Sequence, residues 1–164
     1  MTAELATATQ PTNVLALDLG TTTGFALKQG EMPTLTGSVQ FKNSRYEGGG
    51  MRFLRFRKWL ETLNDRNGVD VVYFEEVRRH LGTDAAHVYG GLLAMLTAWC
   101  EVNRIPYQGV PVGTIKRHAT GKGNANKGAM INAAKGYGFD PSDDNEADAI
   151  CLLKLACEEI GASF

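Results

Sequence analysis

The chain has 164 residues and, with 17 Lys+Arg against 18 Asp+Glu, a formal net charge of −1. Its 43% hydrophobic and 21% charged residues are those of a globular protein, and one domain of this size buries roughly 70% of its unfolded surface, so it needs no disulfide or metal staple. No apolar run reaches the ~20 residues of a membrane span, and three cysteines (Cys100, Cys151, Cys157) make neither a disulfide nor a zinc framework, so a reducing cytoplasm is the expected home.

Residues 1–12 are small and polar, without the basic and apolar regions of a signal peptide, and read as a frayed tail before a single domain over 13–164. Val14–Leu19 is an apolar run broken by Asp18, and the turn Gly20-Thr-Thr-Thr-Gly24 joins it to a second apolar stretch, Phe25–Lys28. Leu35–Phe41 alternates weakly and completes an antiparallel meander. After the break at Gly48–Gly50, Phe53, Phe56, Leu60 and Leu63 predict a helix over Met51–Leu63. Asn67-Gly68 is a turn, and Val69–Val77 is an apolar, β-branched run that suits a buried strand. Asp84 is the expected cap of a long helix through Asn103, with the apolar stripe Val88, Leu92, Met95, Trp99 and Val102. Tyr107–Val112 is a short strand. A short helix near Thr114–His118, a Gly/Asn loop (Gly121–Asn124), a helix over about 126–135 and a last helix over about 144–160 follow. A meander followed by parallel crossovers predicts an α/β fold: a mixed five-stranded sheet with helices on both faces.

The net charge averages over a polarised distribution. Arg104–Lys135 carries six Lys/Arg and no acid, whereas Gly136–Phe164 carries seven Asp/Glu and one Lys. A second basic cluster (Lys42, Arg45, Arg52, Arg55, Arg57, Lys58) contains a single acid, Glu47. Basic segments beside an acidic one suit a protein that holds a polyanion next to a metal.

Three carboxylates stand inside apolar patterns. Asp18 lies in the first strand, and Glu75 and Glu76 lie in the fourth, where alternation lets only one of them join Asp18. Burying a carboxylate costs several kcal/mol unless it is paired or binds a cation. The last helix opens Asp143-Asp144-Asn145-Glu146-Ala147-Asp148. An acidic first turn suits the helix dipole, but Asp148 stands a full turn in, among apolar residues, and shares a face with Asp144. Convergent carboxylates of this kind bind Mg²⁺ or Mn²⁺, and two such ions activate water and stabilise the leaving oxygen of a phosphodiester.

Leu15-Ala-Leu-Asp18-Leu-Gly-Thr-Thr-Thr-Gly24, Val72-Tyr-Phe-Glu75-Glu76-Val77, Gly109–Lys116, Thr120–Lys127 and Glu146-Ala-Asp148-Ala149 together resemble the RuvC-type Holliday-junction resolvases of the RNase H-like superfamily. The resemblance implies an acidic cluster of Asp18, Glu75 and Asp148 holding two Mg²⁺, for which Mn²⁺ can substitute. The position where the bacterial pattern has a further Asp is Asn145 here, which leaves Asp144 or Glu146 as the fourth ligand. The resemblance also implies DNA contacts by Lys116 and Lys127, with Arg117, Lys122 and Arg78 nearby. Arg78 stands where the family has an aromatic wedge. The Gly121–Asn126 loop could present N–H groups to a phosphate. Paired symmetric cuts in a four-way junction imply a C2 homodimer, with the long helix around Tyr89-Gly90-Gly91 as its expected face. No membrane association is expected.

Three other readings compete. The Asp18–Gly24 turn also resembles the phosphate-binding turn of actin-like ATPases and sugar kinases, whose two domains need more than twice this length. A different RNase H-like nuclease would act on RNA–DNA hybrids or non-junction DNA. A non-catalytic DNA-structure-binding protein on this fold would have no use for an acidic cluster facing phosphate.

Overall fold

In the computed structural model, which describes residues 12–164, the chain forms strands β1 (Val14–Asp18), β2 (Thr22–Gln29) and β3 (Met32–Gln40), helix α1 (Met51–Asn67), strand β4 (Val71–Glu76), helix α2 (Thr83–Asn103), strand β5 (Tyr107–Pro111) and helices α3 (Val112–Thr120), α4 (Lys127–Gly136) and α5 (Asp144–Ile160). The expected tail lies outside the described residues except for Thr12. The strands make one mixed sheet in the order β3-β2-β1-β4-β5. β1, β2 and β3 pair antiparallel, and β4 runs parallel to both β1 and β5.

Strand alternation divides the core. Leu15, Leu17, Val72 and Phe74 pack with Phe56, Leu60, Leu92, Leu96 and Trp99 of α1 and α2 on one face. Val14, Ala16, Ala26, Tyr73 and Val110 pack with α3, α4 and α5 on the other. Helix α5 is the most buried helix: Ala147 and the run Ala149–Leu153 are all closed to solvent. The three cysteines are free and buried, and pack as small apolar groups. Among the described residues no helix is long and apolar enough to cross a membrane.

Several boundaries differ from expectation for local reasons. α1 runs one turn further, to Asn67, and stops where Gly68 takes φ 71° and donates its N–H to Asn64 O. β4 begins at Val71, because Asp70 N–H bonds Asn13 O at the mouth of the sheet before regular pairing with β1 starts. Asp84 is not the cap of α2: the helix starts at Thr83, after Gly82, and Asp84 sits in its first turn. The expected dimer face on α2 is used in part within the chain. A Cβ on Gly91 would meet the Phe53 ring at 2.4 Å, so this glycine permits close approach of α1, whereas a Cβ on Gly90 would meet nothing within 4 Å. Leu92 and Trp99 of the stripe are buried in the protein's own core, and Tyr89 points under β4.

Candidate active site

The two strand carboxylates meet through register. Leu17 stands opposite Phe74 in the parallel pair, and one step further brings Asp18 beside Glu75 at the C-terminal ends of both strands. Alternation puts both on the face that α5 covers, with Ala16 and Tyr73 two residues before them. Glu76 points to the opposite face and is approached by Arg78 Nε at 3.4 Å. Arg78 thus pairs with Glu76 and not with Glu75.

Helix α5 supplies the third group. Oxygens of Asp18, Glu75 and Asp148 all lie within 4.8 Å of one another. This requires α5 to sit unusually close to the sheet, and Gly24 makes it possible. Gly24 pairs with Asp18 across β1–β2, and a Cβ there would fall 1.9 Å from Asn145 O. Two further contacts hold the first turn of α5 against β3. Ser38 Oγ donates to Asp143 Oδ1 at 2.7 Å, and Thr36 Oγ1 donates to Glu146 Oε1 at 2.6 Å. Asp143 caps the helix by accepting from Glu146 N at 2.8 Å, while Glu146 Oε2 accepts from Ser142 N and Oγ at 2.8 and 2.7 Å.

Glu146 is therefore not brought to the cluster. It is buried, and both its oxygens are engaged in docking the helix. Asp144, the other candidate for a fourth ligand, lies near enough to raise the pKa of Asp18 and Asp148, but its Oδ2 is 2.9 Å from Lys127 Nζ. Lys127 is the first residue of α4, which is capped by Asn126 accepting from Ala129 N at 2.9 Å.

The electrostatics are those of charge held against repulsion. Burial first, then Glu75, Asp148, Asp144 and Asp143, pushes Asp18 well above the ordinary carboxylate range. Burial and Asp148 push Glu75 up to about 7, with Lys116 opposing. Burial and Asp144 push Asp148 up to about 6, against Lys116 and Lys127. Both lysines thus act on the cluster directly. Asp148 Oδ1 is buried with no hydrogen-bond partner among the described residues. An all-oxygen donor set, an orphaned carboxylate oxygen and three mutually repelling carboxyls fit a hard divalent cation.

The remaining basic residues are spread out. The Arg117 guanidinium lies against Gly123 of the α3–α4 loop. Lys122 is exposed on the α3–α4 loop, and Arg78 is exposed beyond β4. The loop offers less to a phosphate than its glycines suggest. The N–H groups of Gly121, Lys122 and Ala125 are already donated to Arg117 O, Thr120 Oγ1 and Lys122 O. Gly24, Thr36 and Ser38 build the site without any sequence signal for catalysis. Only the Asp143 N-cap ahead of the apolar run of α5 carries a local sequence signal.

A five-stranded mixed sheet of this order with its flanking helices is a fold shared with solved RuvC structures. The chain superposes on RuvC of Thermus thermophilus in complex with a Holliday junction substrate, with a TM-score of 0.72 and 20% identity over 86% of this chain and 90% of that one. The Thermus thermophilus RuvC structure matches with a TM-score of 0.70 and 20% identity, covering 92% and 97%. The yeast mitochondrial Holliday junction resolvase Ydc2 matches at 0.62 and 12%, covering 89% and 79%. No protein-family model and no curated protein matches the chain by sequence.

Proposed function

We propose that the protein is a metal-dependent endodeoxyribonuclease that resolves four-way DNA junctions. The observation that carries this reading is the convergence of Asp18, Glu75 and Asp148 within 4.8 Å on a RuvC-type sheet. The likeness to a RuvC bound to a Holliday junction substrate supports branched DNA as the substrate class.

Asp18, Glu75 and Asp148 would hold two Mg²⁺ or Mn²⁺, with Asp144 as the fourth ligand once it leaves Lys127. Bound in this way, the ions supply an activated water and charge compensation at the leaving 3′-oxygen, for in-line cleavage to 5′-phosphate and 3′-hydroxyl ends. The chain's own residues supply position. Asp18 and Glu75 are fixed by the ladder of β1 and β4, and Asp148 by the docking of α5 onto β2 and β3. Lys116 and Lys127 flank the cluster and hold the scissile phosphate against four acidic side chains. Arg78 and Lys122, both exposed, and Arg117 beside the α3–α4 loop would take backbone phosphates further along the strand.

Two symmetric cuts call for two copies related by a twofold axis. Leu54 of α1 and Val102 of α2, both exposed on the α1–α2 layer, are apolar groups that a second copy would cover. Sedimentation of the protein with and without junction DNA tests this arrangement.

The decisive assay is cleavage of a synthetic four-way junction beside a linear duplex and an RNA–DNA hybrid, each with Mg²⁺, Mn²⁺ or EDTA. Metal-dependent paired nicks in the junction are expected. Preference for the hybrid would reassign the substrate, and failure to cut any of the three would remove the nuclease reading.

A further inference from the structure

The segment between β3 and α1 leaves the sheet at the same end as the carboxylates. Phe41 N–H donates to Thr21 O at 2.7 Å, which ties the start of this loop to the β1–β2 hairpin next to Asp18. At the tip of the loop Tyr46 is 91% exposed, the most exposed aromatic among the described residues. Exposing a whole tyrosine ring is unfavourable by itself, yet the loop is built to keep it out. Arg55 Nη1 bonds Glu47 Oε1 at 2.7 Å, and Arg55 Nη2 bonds Lys42 O at 3.0 Å. Glu47 Oε2 accepts from Ser44 N at 2.9 Å, and Asn43 Nδ2 reaches Gly49 O at 3.2 Å. The tyrosine is bracketed by bonded residues on both sides and has little freedom to fold down.

Its surroundings are cationic. The Arg45 guanidinium stands 5.7 Å from the centre of the Tyr46 ring. Among the described residues Lys42, Arg45 and Arg52 make no ion pair, and Arg52 Nε is buried with no hydrogen-bond partner. Arg52 lines a cleft of about 470 Å³ between this loop and the start of α2, together with Asn43, His87 and one acid, Asp84.

We propose that this loop is a second DNA-binding element, in which Tyr46 stacks on an unpaired or splayed base of the substrate while Arg45 and Arg52 take the adjoining phosphates. A rigid exposed aromatic backed by arginine is the chemistry of base stacking. A continuous duplex has no free base face to offer it, so the element reads strand discontinuity rather than sequence. The inference rests on the nuclease reading above for the choice of DNA as ligand.

The test measures binding to a four-way junction carrying 2-aminopurine beside the exchange point, and to a linear duplex, with Ca²⁺ replacing Mg²⁺. The proteins compared are the unchanged chain, Tyr46→Ala and Tyr46→Phe. Loss of one stacked base predicts a junction Kd weakened about tenfold in Tyr46→Ala, with the 2-aminopurine quenching lost and duplex affinity changed less than twofold. Tyr46→Phe retains both junction affinity and quenching. Equal junction affinity and quenching for Tyr46→Ala and the unchanged chain overturns the proposal, as does an equal loss on junction and duplex. If the unchanged chain cuts junctions and Tyr46→Ala behaves identically, only this inference falls. If the unchanged chain binds no junction at all, the nuclease reading falls with it.

Discussion

Lys127 Nζ lies 2.9 Å from Asp144 Oδ2, joining the first turn of α4 to the first turn of α5 at the edge of the carboxylate cluster. The hydrogen bond and charge of Asp144 raise the pKa of Lys127, and Lys127 in turn opposes the upward shift of Asp148. The pair is mostly exposed on the lysine side, so its contribution to folding is small. On the proposed nuclease reading, the pair keeps one cation where a phosphate would meet the carboxylates. Lys127→Ala is expected to leave the Tm within about 1–2 °C, to lower single-turnover cleavage on the order of 10²-fold, and to make the salt dependence of junction binding shallower by about one phosphate contact. Rates with and without the substitution across a salt series check all three.

Glu146 and Asp148 are two residues apart and have opposite expected effects. Glu146 is buried with hydrogen bonds from Thr36 and Ser142, so Glu146→Gln forfeits charge-assisted bonds and destabilises by roughly 1–3 kcal/mol. Asp148 is a repelled carboxylate with an orphaned oxygen, so Asp148→Asn is expected to raise the Tm of the metal-free protein. Thermal unfolding of both variants in EDTA gives the signs.

Gly24 is needed for its missing side chain. A methyl at this position would be driven into Asn145 O, which must move for it to fit. Gly24→Ala is expected to cost about 1–3 kcal/mol through this overpacking and to lower cleavage, because the displaced helix carries Asp144 and Asp148. Denaturant unfolding together with the cleavage rate checks the coupling. A stability loss with an unchanged rate would show that α5 shifts without moving Asp148.

The raised carboxyls make stability depend on pH in a defined direction. Unfolded Asp and Glu release their protons near pH 4, whereas in the folded protein Asp148 and Glu75 hold theirs to about 6 and about 7. Across this window the folded state binds more protons than the unfolded state, so metal-free stability falls as pH rises from 4 through 7, and Asp18 adds to the fall in the same direction. The fall is on the order of a few kcal/mol at most, since the two groups titrate as a coupled set. Saturating Mn²⁺ should reverse the slope, because the ion binds the deprotonated carboxylates and is displaced by protons. Urea midpoints at several pH values, in EDTA and in Mn²⁺, measure it.

The sheet, its strand pairing and the two faces were readable because period-2 alternation in β1 and β4 and the apolar run of α5 each have one consistent solution. Asp18, Glu75 and Asp148 stood out for the same reason, as charges in positions that burial otherwise reserves for apolar side chains. The role of Glu146 was not legible. Its partners Thr36 and Ser142 come together only after β3 is placed beside α5, across 110 residues of sequence in the case of Thr36. Gly24 is similar: a glycine in a Thr-rich turn reads as turn chemistry, whereas its function is to let a helix backbone through. The packing of Gly91 against Phe53 is likewise not legible, because Phe53 lies on another helix. The Gly121–Asn126 loop looked open because side-chain closure by Thr120 leaves no trace in spacing.

The most direct measurement is single-turnover cleavage of a four-way junction in Mg²⁺ by the unchanged protein, Asp148→Asn and Glu146→Gln, all assayed well below their unfolding temperatures. Paired metal-dependent nicks are predicted for the unchanged protein, at least a 10²-fold loss for Asp148→Asn, and a rate within a few-fold of the unchanged protein for Glu146→Gln. Cleavage by Asp148→Asn at the unchanged rate would contradict the assignment of Asp18, Glu75 and Asp148 as the metal site.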